Sequence, residues 1–277
     1  MKILHPSVIL RGLEQKARKR FGQHFLTDVG LVEKIVRRAG VKPGDEVLEI
    51  GPGLGILTRM LLAAEANVTC VELDRDLAAY LEEMLPQVRL IQGDAMRQDW
   101  DEVLTSKPVK VVANLPYNVG THVVMQLIRR PDLFSSVTVM LQKEVVDRMM
   151  AEPGSKTYGA LSVQVQSRAK TAFLLAVPPG AFHPPPKVQS SVIRLIPRET
   201  PDAGRAGMDT LDRVVKASFS QRRKTLANAL GALLGKEMVR RAIQQLEWNE
   251  NVRGEALSRR QFIQLTDTLL DLDAFKA

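Results

Sequence analysis

The stretch Glu46-Val47-Leu48-Glu49-Ile50-Gly51-Pro52-Gly53-Leu54-Gly55 passes from a short apolar run into three glycines spaced two apart. The residues that follow, Leu54–Ala66, have helical spacing. Glycines at a strand-to-helix turn let the backbone bend sharply and approach a ligand, and the helix start offers free amide donors. A glycine loop alone is a weak signal, because a tight turn needs the same residues.

Working outward, short β-rich runs recur at Glu46–Ile50, Val68–Glu72, Val88–Ile91, Val109–Asn114, Val137–Leu141, Thr171–Val177 and Ser191–Ile196. Several are continuously apolar, as parallel strands covered on both faces must be. Helical patterns such as Asp76–Leu85 lie between them. This alternation predicts an α/β fold with a doubly wound, mostly parallel seven-stranded sheet. The last two strands flank Pro178-Pro179 and Pro184-Pro185-Pro186 with no clear helix between them, and are expected to pair antiparallel. Thr200–Gly207 is made of turn-formers and reads as a linker. Residues 208–272 show helical spacing only. The expected division is a basic arm over 1–27, an α/β domain over 28–199 and a small all-α domain over 208–277.

The chain has 277 residues, 45% hydrophobic and 25% charged. That is ordinary globular composition with enough length for a sizeable core. A single cysteine, Cys70, excludes a disulfide scaffold and suits a reducing compartment. No apolar run approaches the ~20 residues of a membrane span, and Met1–Pro6 does not resemble a secretory leader. A cytoplasmic protein without a membrane partner is expected. The four histidines (His5, His24, His122, His183) and the cysteine have no ligand spacing, so no metal is expected.

The formal charge is +8, unevenly spread: residues 1–25 carry a net +5, residues 26–199 are neutral and residues 200–277 carry +3. Basic ends around a neutral middle suit a polyanionic partner, although a solvated basic tail has the same composition.

Three strand ends carry the ligand chemistry. Glu72 closes the second strand about 20 residues after the glycines, where a carboxylate can accept from both hydroxyls of a ribose. Asp94, after the third strand, is placed to accept from an adenine amino group. Helix capping or surface solvation accounts for either acid singly; the ordered set points to an adenosine-containing ligand. The spacing is G-x-G-x-G with Pro52 inside and Ile56 beyond, which departs from the G-x-G-x-x-G dinucleotide fingerprint. No phosphate-binding lysine follows, so a P-loop is excluded. The loop instead resembles the S-adenosylmethionine loop of Rossmann-like class I methyltransferases.

The fourth strand ends in Asn114-Leu115-Pro116-Tyr117. The exocyclic amine of adenine is a poor nucleophile because its lone pair is delocalised into the ring. Two acceptors aimed at its hydrogens, the Asn114 side-chain oxygen and the Leu115 carbonyl, favour the tetrahedral form that can attack a methyl sulfonium. Pro116 stiffens the backbone there, and Tyr117 offers a face for an unstacked base. Phe182, held by the proline-rich loop after it, is expected to close over the other face; plugging the core is the plainer use of that ring.

At this point the resemblance is specific. Asn114–Tyr117, Phe182-His183-Pro184-Pro185-Pro186-Lys187-Val188-Gln189-Ser190, Arg20-Phe21-Gly22-Gln23-His24-Phe25-Leu26 and Gln142-Lys143-Glu144-Val145 are similar to signatures of the ribosomal RNA adenine dimethyltransferases. Phe219-Ser220-Gln221-Arg222-Arg223-Lys224-Thr225-Leu226 resembles the small-subunit branch. The resemblance runs from about Lys16 to Leu230. It implies two methyl transfers to N6 of each of two adjacent adenosines near the 3′ end of 16S rRNA, within an assembling small subunit or its precursor, by a monomeric enzyme that releases S-adenosylhomocysteine. It also implies that His24, Leu26, Gly51, Gly53, Glu72, Asp94 and Asn114 contact S-adenosylmethionine, while Asn114, Leu115, Tyr117 and Phe182 hold the adenine. The family often has Asn where this chain has His24, so a side-chain contact there is not assured. Arg18, Lys19 and Arg20, with Arg222, Arg223 and Lys224 at the start of a helix, are expected to contact phosphates; a solvated helix face is the plainer reading of the second group. A large-subunit rRNA adenine methyltransferase conferring antibiotic resistance shares the core motifs, and an RNA-binding assembly factor is a further alternative. The basic stretch 222–224 and the longer C-terminal region disfavour the former; intact Gly51, Glu72, Asp94 and Asn114 disfavour the latter.

Overall fold

The computed structural model describes Val8 and residues 24–275. The expected phosphate contacts Arg18, Lys19 and Arg20 lie outside the described residues, as does most of the 1–27 arm. Labels here number strands and helices separately, in chain order.

The chain folds as two compact units. The first holds residues 24–146 and 170–199; the second holds 147–169 and 200–275. The break at Thr200 falls in the expected linker. The expected continuous 28–199 domain is corrected, because residues 147–169 belong with the C-terminal helices. That segment carries Tyr158 and Val163, whose apolar surface is buried among those helices rather than on the sheet.

In the first unit the sheet contains β2 (Glu46–Ile50), β3 (Asn67–Glu72), β4 (Arg89–Gln92), β5 (Val109–Asn114), β6 (Phe134–Gln142), β7 (Ala169–Val177) and β9 (Ser190–Pro197), in the order β4-β3-β2-β5-β6-β9-β7. Pairs β2–β3, β3–β4, β2–β5 and β5–β6 are parallel, and β9 runs antiparallel to β6. All seven expected strands are present, with the fifth three residues longer at its start than its apolar run indicated. This is the α/β, Rossmann-like class I methyltransferase fold. A two-stranded ladder absent from the expectation pairs β1 (Phe25–Leu26) with β8 (Phe182–His183), each too short to show a period.

Because β2 pairs with both β3 and β5, the winding reverses there, and a crevice opens beyond the carboxyl ends of the strands. Helix α1 (Val29–Ala39) starts on Asp28, whose side chain accepts from Leu31 N at 2.9 Å, and stops at Gly40 with φ +71°. Its Val32, Ile35, Val36 and Ala39 face one side of the sheet, packing with Leu57 and Leu61 of α2 (Ile56–Ala63) over Val47, Val68 and Val112. Helix α3 (Arg75–Met84) is capped by Asp74, which accepts from Asp76 N at 3.1 Å, and α4 (Trp100–Val103), α5 (Gly120–Leu127) and α6 (Lys143–Met150) follow it along the chain.

The second unit is helical throughout: α7 (Ala160–Arg168), α8 (Gly207–Ser218), α9 (Leu226–Leu234), α10 (Lys236–Gln245) and α11 (Arg259–Asp271). Leu211, Val215, Leu230, Ile243, Phe262 and Leu265 form its core. Arg168 donates to both oxygens of Asp212, at 3.0 and 2.7 Å, in a buried bidentate pair. No helix among the described residues is long and apolar enough to cross a membrane.

Candidate active site

The glycine loop sets the geometry. Gly51, Gly53 and Gly55 all have left-handed φ, +69°, +59° and +77°, a conformation that strains any residue with a Cβ. At Gly55 a Cβ would also meet Leu81 at 2.9 Å, so the loop can rest on α3 only without a side chain. Beside it, the Glu72 carboxylate accepts from Gly53 N at 3.1 Å and from Asp74 N at 2.9 Å. Glu72 is therefore fixed by the loop it faces, rather than capping a helix. Burial pushes its carboxyl above the ordinary value, while those two amide donors pull it back.

One cavity lies over these strand ends. Its wall includes His24, Leu26, Gly51, Gly53, Glu72, Asp94, Asn114, Leu115 and Tyr117, nine of the expected site residues from five separate chain segments. Asp94 serves two purposes. It lines the cavity, and it caps the short 3₁₀ turn Ala95–Arg97 by accepting from Met96 N at 2.9 Å.

At the other end of the cavity, Asn114 Nδ2 donates to the His24 carbonyl at 3.2 Å. Only the amide nitrogen can donate to a carbonyl, so that bond fixes the Asn114 amide and leaves Oδ1 as an acceptor. Leu115 N donates to Met140 O at 3.3 Å and its side chain is buried, so the residue offers the cavity its peptide group. Tyr117 is half-buried, and its hydroxyl lies 2.6 Å from Ser190 Oγ. Burial raises the phenol above its ordinary value, keeping the ring neutral. The His24 ring stands 5.5 Å from the Tyr117 ring, tilted by 30°, and its Nδ1 lies 2.8 Å from Pro184 O.

Phe182 departs from expectation. It is 4% exposed, packs with Leu26 and Met140 in the sheet core, and is absent from the cavity wall. Register explains this: Phe182 pairs with Leu26 in the β1–β8 ladder, and Thr27 N donates to Ala181 O at 2.9 Å. The ring therefore anchors the ladder, the plainer of the two uses open to it.

The basic stretch is also corrected. Arg222, Arg223 and Lys224 lie in the turn before α9, not within a helix. Arg222 donates to Lys156 O and Tyr158 O, both at 3.0 Å, so its guanidinium ties down the 147–169 segment. Arg223 and Lys224 are exposed.

Sequence reasoning missed Glu49, Leu73, Asp74 and Met96, which also line the cavity. The sequence holds a signal for two of them: Glu49 is an acid inside an apolar strand, and Leu73 is an apolar residue between two acids at a strand end. Glu49 is fully buried with Cys70 Sγ 3.7 Å away, and burial pushes its carboxyl up to about 8.

A family model described as ribosomal RNA adenine dimethylase matches residues 14–271. Ribosomal RNA small subunit methyltransferase A of Thermosynechococcus vestitus is 46% identical over 266 residues, covering 93% of this chain and 98% of that protein. Among solved structures, a dimethyladenosine transferase from Plasmodium falciparum is similar at TM-score 0.77 and 27% identity, over 90% of this chain and 98% of that one. The 23S rRNA methyltransferase ErmE, at TM-score 0.68 and 24% identity over 88% and 99%, shares the fold. This chain belongs to the ribosomal RNA adenine dimethylase family, as an rRNA adenine dimethyltransferase that uses S-adenosylmethionine.

Proposed function

We propose that this chain transfers two methyl groups to N6 of each of two adjacent adenosines near the 3′ end of 16S rRNA, in the assembling small subunit. It acts as a monomer in the cytoplasm. Its 42–46% identity to proteins named ribosomal RNA small subunit methyltransferase A, over nearly their full length, supports the small-subunit substrate.

The cavity's lining fits S-adenosylmethionine: glycines with no Cβ, a buried carboxylate and the acid Asp94, with no lysine or arginine on the wall for a phosphate among the described residues. The cofactor supplies an electrophilic methyl on a positively charged sulfur. In this reading Gly51 and Gly53 allow its close approach, Glu72 accepts from the ribose hydroxyls, and Asp94 accepts from the adenine amine. His24 and Leu26 border the cavity beside Asn114.

The target adenine lies against Tyr117. Asn114 Oδ1 and the Leu115 carbonyl accept its two amine hydrogens, drawing the nitrogen towards a tetrahedral shape with its lone pair free. The fixed Asn114 amide carries this reading: the bond to the His24 carbonyl orients the side chain before any base arrives. Once the nitrogen is alkylated its proton is acidic and leaves without a strong base. Arg223 and Lys224, with Arg18, Lys19 and Arg20, contact phosphates and set affinity rather than sequence choice.

The test is incubation of the purified chain with unmethylated small subunits and labelled cofactor, followed by mapping of the modified bases. Adjacent N6,N6-dimethyladenosines near the 3′ end are expected. Small subunits left unlabelled, or labelled only at other bases, overturn the proposal.

A further inference from the structure

Three side chains meet at the base-binding end of the cavity, and two have no part in the transfer just described. Ser190, the first residue of β9, is fully buried, yet its Oγ reaches 2.6 Å to the Tyr117 hydroxyl. The two residues are 73 positions apart in the chain, so the fold alone brings them together. His24 stands against the same ring, 5.5 Å away between centroids. Its Nδ1 lies 2.8 Å from the Pro184 carbonyl, which can only accept, so Nδ1 carries the hydrogen and the ring is held in one orientation.

The spacing of the two rings decides what they can do together. Successive stacked bases are separated by about 3.4 Å, so a base held between two rings needs roughly 7 Å between their centres. His24 and Tyr117 are 5.5 Å apart. No base fits between them, and His24 backs Tyr117 rather than forming an opposite jaw.

We infer that Ser190 and His24 are positioning residues that fix Tyr117 as a rigid platform with one free face for the target adenine. The inference rests on the proposed role of Tyr117. Ser190 pins the hydroxyl end of the ring, and His24 blocks its rear face. The proline-rich segment 182–190 supplies both holds, through Pro184 O and Ser190 Oγ, while Phe182 anchors the segment in the core. Tyr117 carries its ring on a flexible side chain and is only partly buried. Without the two holds it would sample several rotamers, and few would seat the base with its amine at Asn114 Oδ1.

The experiment measures dimethylation of unmethylated small subunits by wild type, Ser190→Ala, Tyr117→Phe and the double variant. Calorimetric affinity for S-adenosylmethionine and the thermal midpoint are measured alongside. Removing either hydroxyl breaks the same bond, so each single variant is expected to lower kcat about 10-fold. KM for the particle and cofactor affinity stay as in wild type. The double variant is expected to match the single ones, because Ser190 has nothing left to hold once the phenol is gone. Tyr117→Phe keeps the measurement valid if Ser190→Ala is poorly folded, since Tyr117 borders a cavity. His24→Ala is expected to lower kcat similarly. Multiplied effects in the double variant, or single variants with wild-type kcat, overturn the inference. A wild-type chain inactive on small subunits overturns the substrate reading and this inference with it. Active wild type beside unaffected variants overturns the inference alone.

Discussion

Two short segments meet at the base end of the cavity and work in opposite ways. Asn114–Tyr117 leaves β5 and presents its own atoms: an amide oxygen, a peptide carbonyl and a ring. Phe182–Ser190 presents almost nothing. Its aromatic ring is buried, its Pro184 carbonyl holds His24, and its Ser190 hydroxyl holds Tyr117. The difference teaches that a motif bordering a site can act wholly through the residues of another. Its substitutions are then expected to show different signatures.

The sharpest break is at Phe182. Replacing it with Ala empties a core site behind the β1–β8 ladder, for an expected loss of about 3–5 kcal/mol in a denaturant titration. A variant with unchanged stability and weakened RNA-base binding would return Phe182 to the cavity wall. Next comes Asn114→Ala, which removes an acceptor needed only as the amine reshapes. Methyl transfer is expected to fall by about 10²–10³-fold, with filter-binding affinity for RNA nearly unchanged; retained activity removes Asn114 from its role.

A third prediction uses Glu49, on the strand that feeds the glycine loop. Its carboxyl has a raised value of about 8 in the fold against an ordinary 4.5. The stability it contributes is present in full below pH 4.5 and is lost as the pH rises through 8, where ionisation must occur inside the fold. Glu49→Gln cannot ionise. Its unfolding free energy, measured by denaturant titration without cofactor, is expected to pull ahead of wild type from pH 5 to pH 9, by on the order of a few kcal/mol. Parallel curves contradict a buried neutral carboxyl.

The smallest effects separate two of the three basic residues of the turn before α9, Arg222 and Arg223. Arg222→Ala loses two charged hydrogen bonds from a half-exposed site and is expected to destabilise by about 1 kcal/mol. Arg223→Ala is expected to leave stability within about 0.5 kcal/mol. It should reduce the salt slope of RNA binding by roughly one phosphate contact. Equal behaviour of the pair erases that distinction.

The sheet was legible because its strands are short, mostly apolar runs that end in glycine or a polar residue and alternate with helical patterns. Glu72, Asp94 and Asn114 were legible for a related reason: polar residues at the carboxyl ends of parallel strands face the crevice whatever the loops do. Phe182 was ambiguous because a proline-stiffened loop can hold a ring outward or inward, and only its register against Leu26 decides. The holds on Tyr117 and the tie made by Arg222 depend on contacts between residues 64 to 160 positions apart, which leave no local trace. The 147–169 segment hid its allegiance because its apolar spacing would serve a helix on either unit.

That segment makes the C-terminal helices hard to detach. A cut in the linker at residue 200 would strand Tyr158 without Leu257, the acceptor of its hydroxyl, and Arg168 without Asp212. The fragment would expose the apolar face that Tyr158 and Val163 bury among those helices, a patch that invites aggregation. A soluble minimal fragment therefore needs two excisions, one after 199 and one that replaces 147–169 with a short bridge.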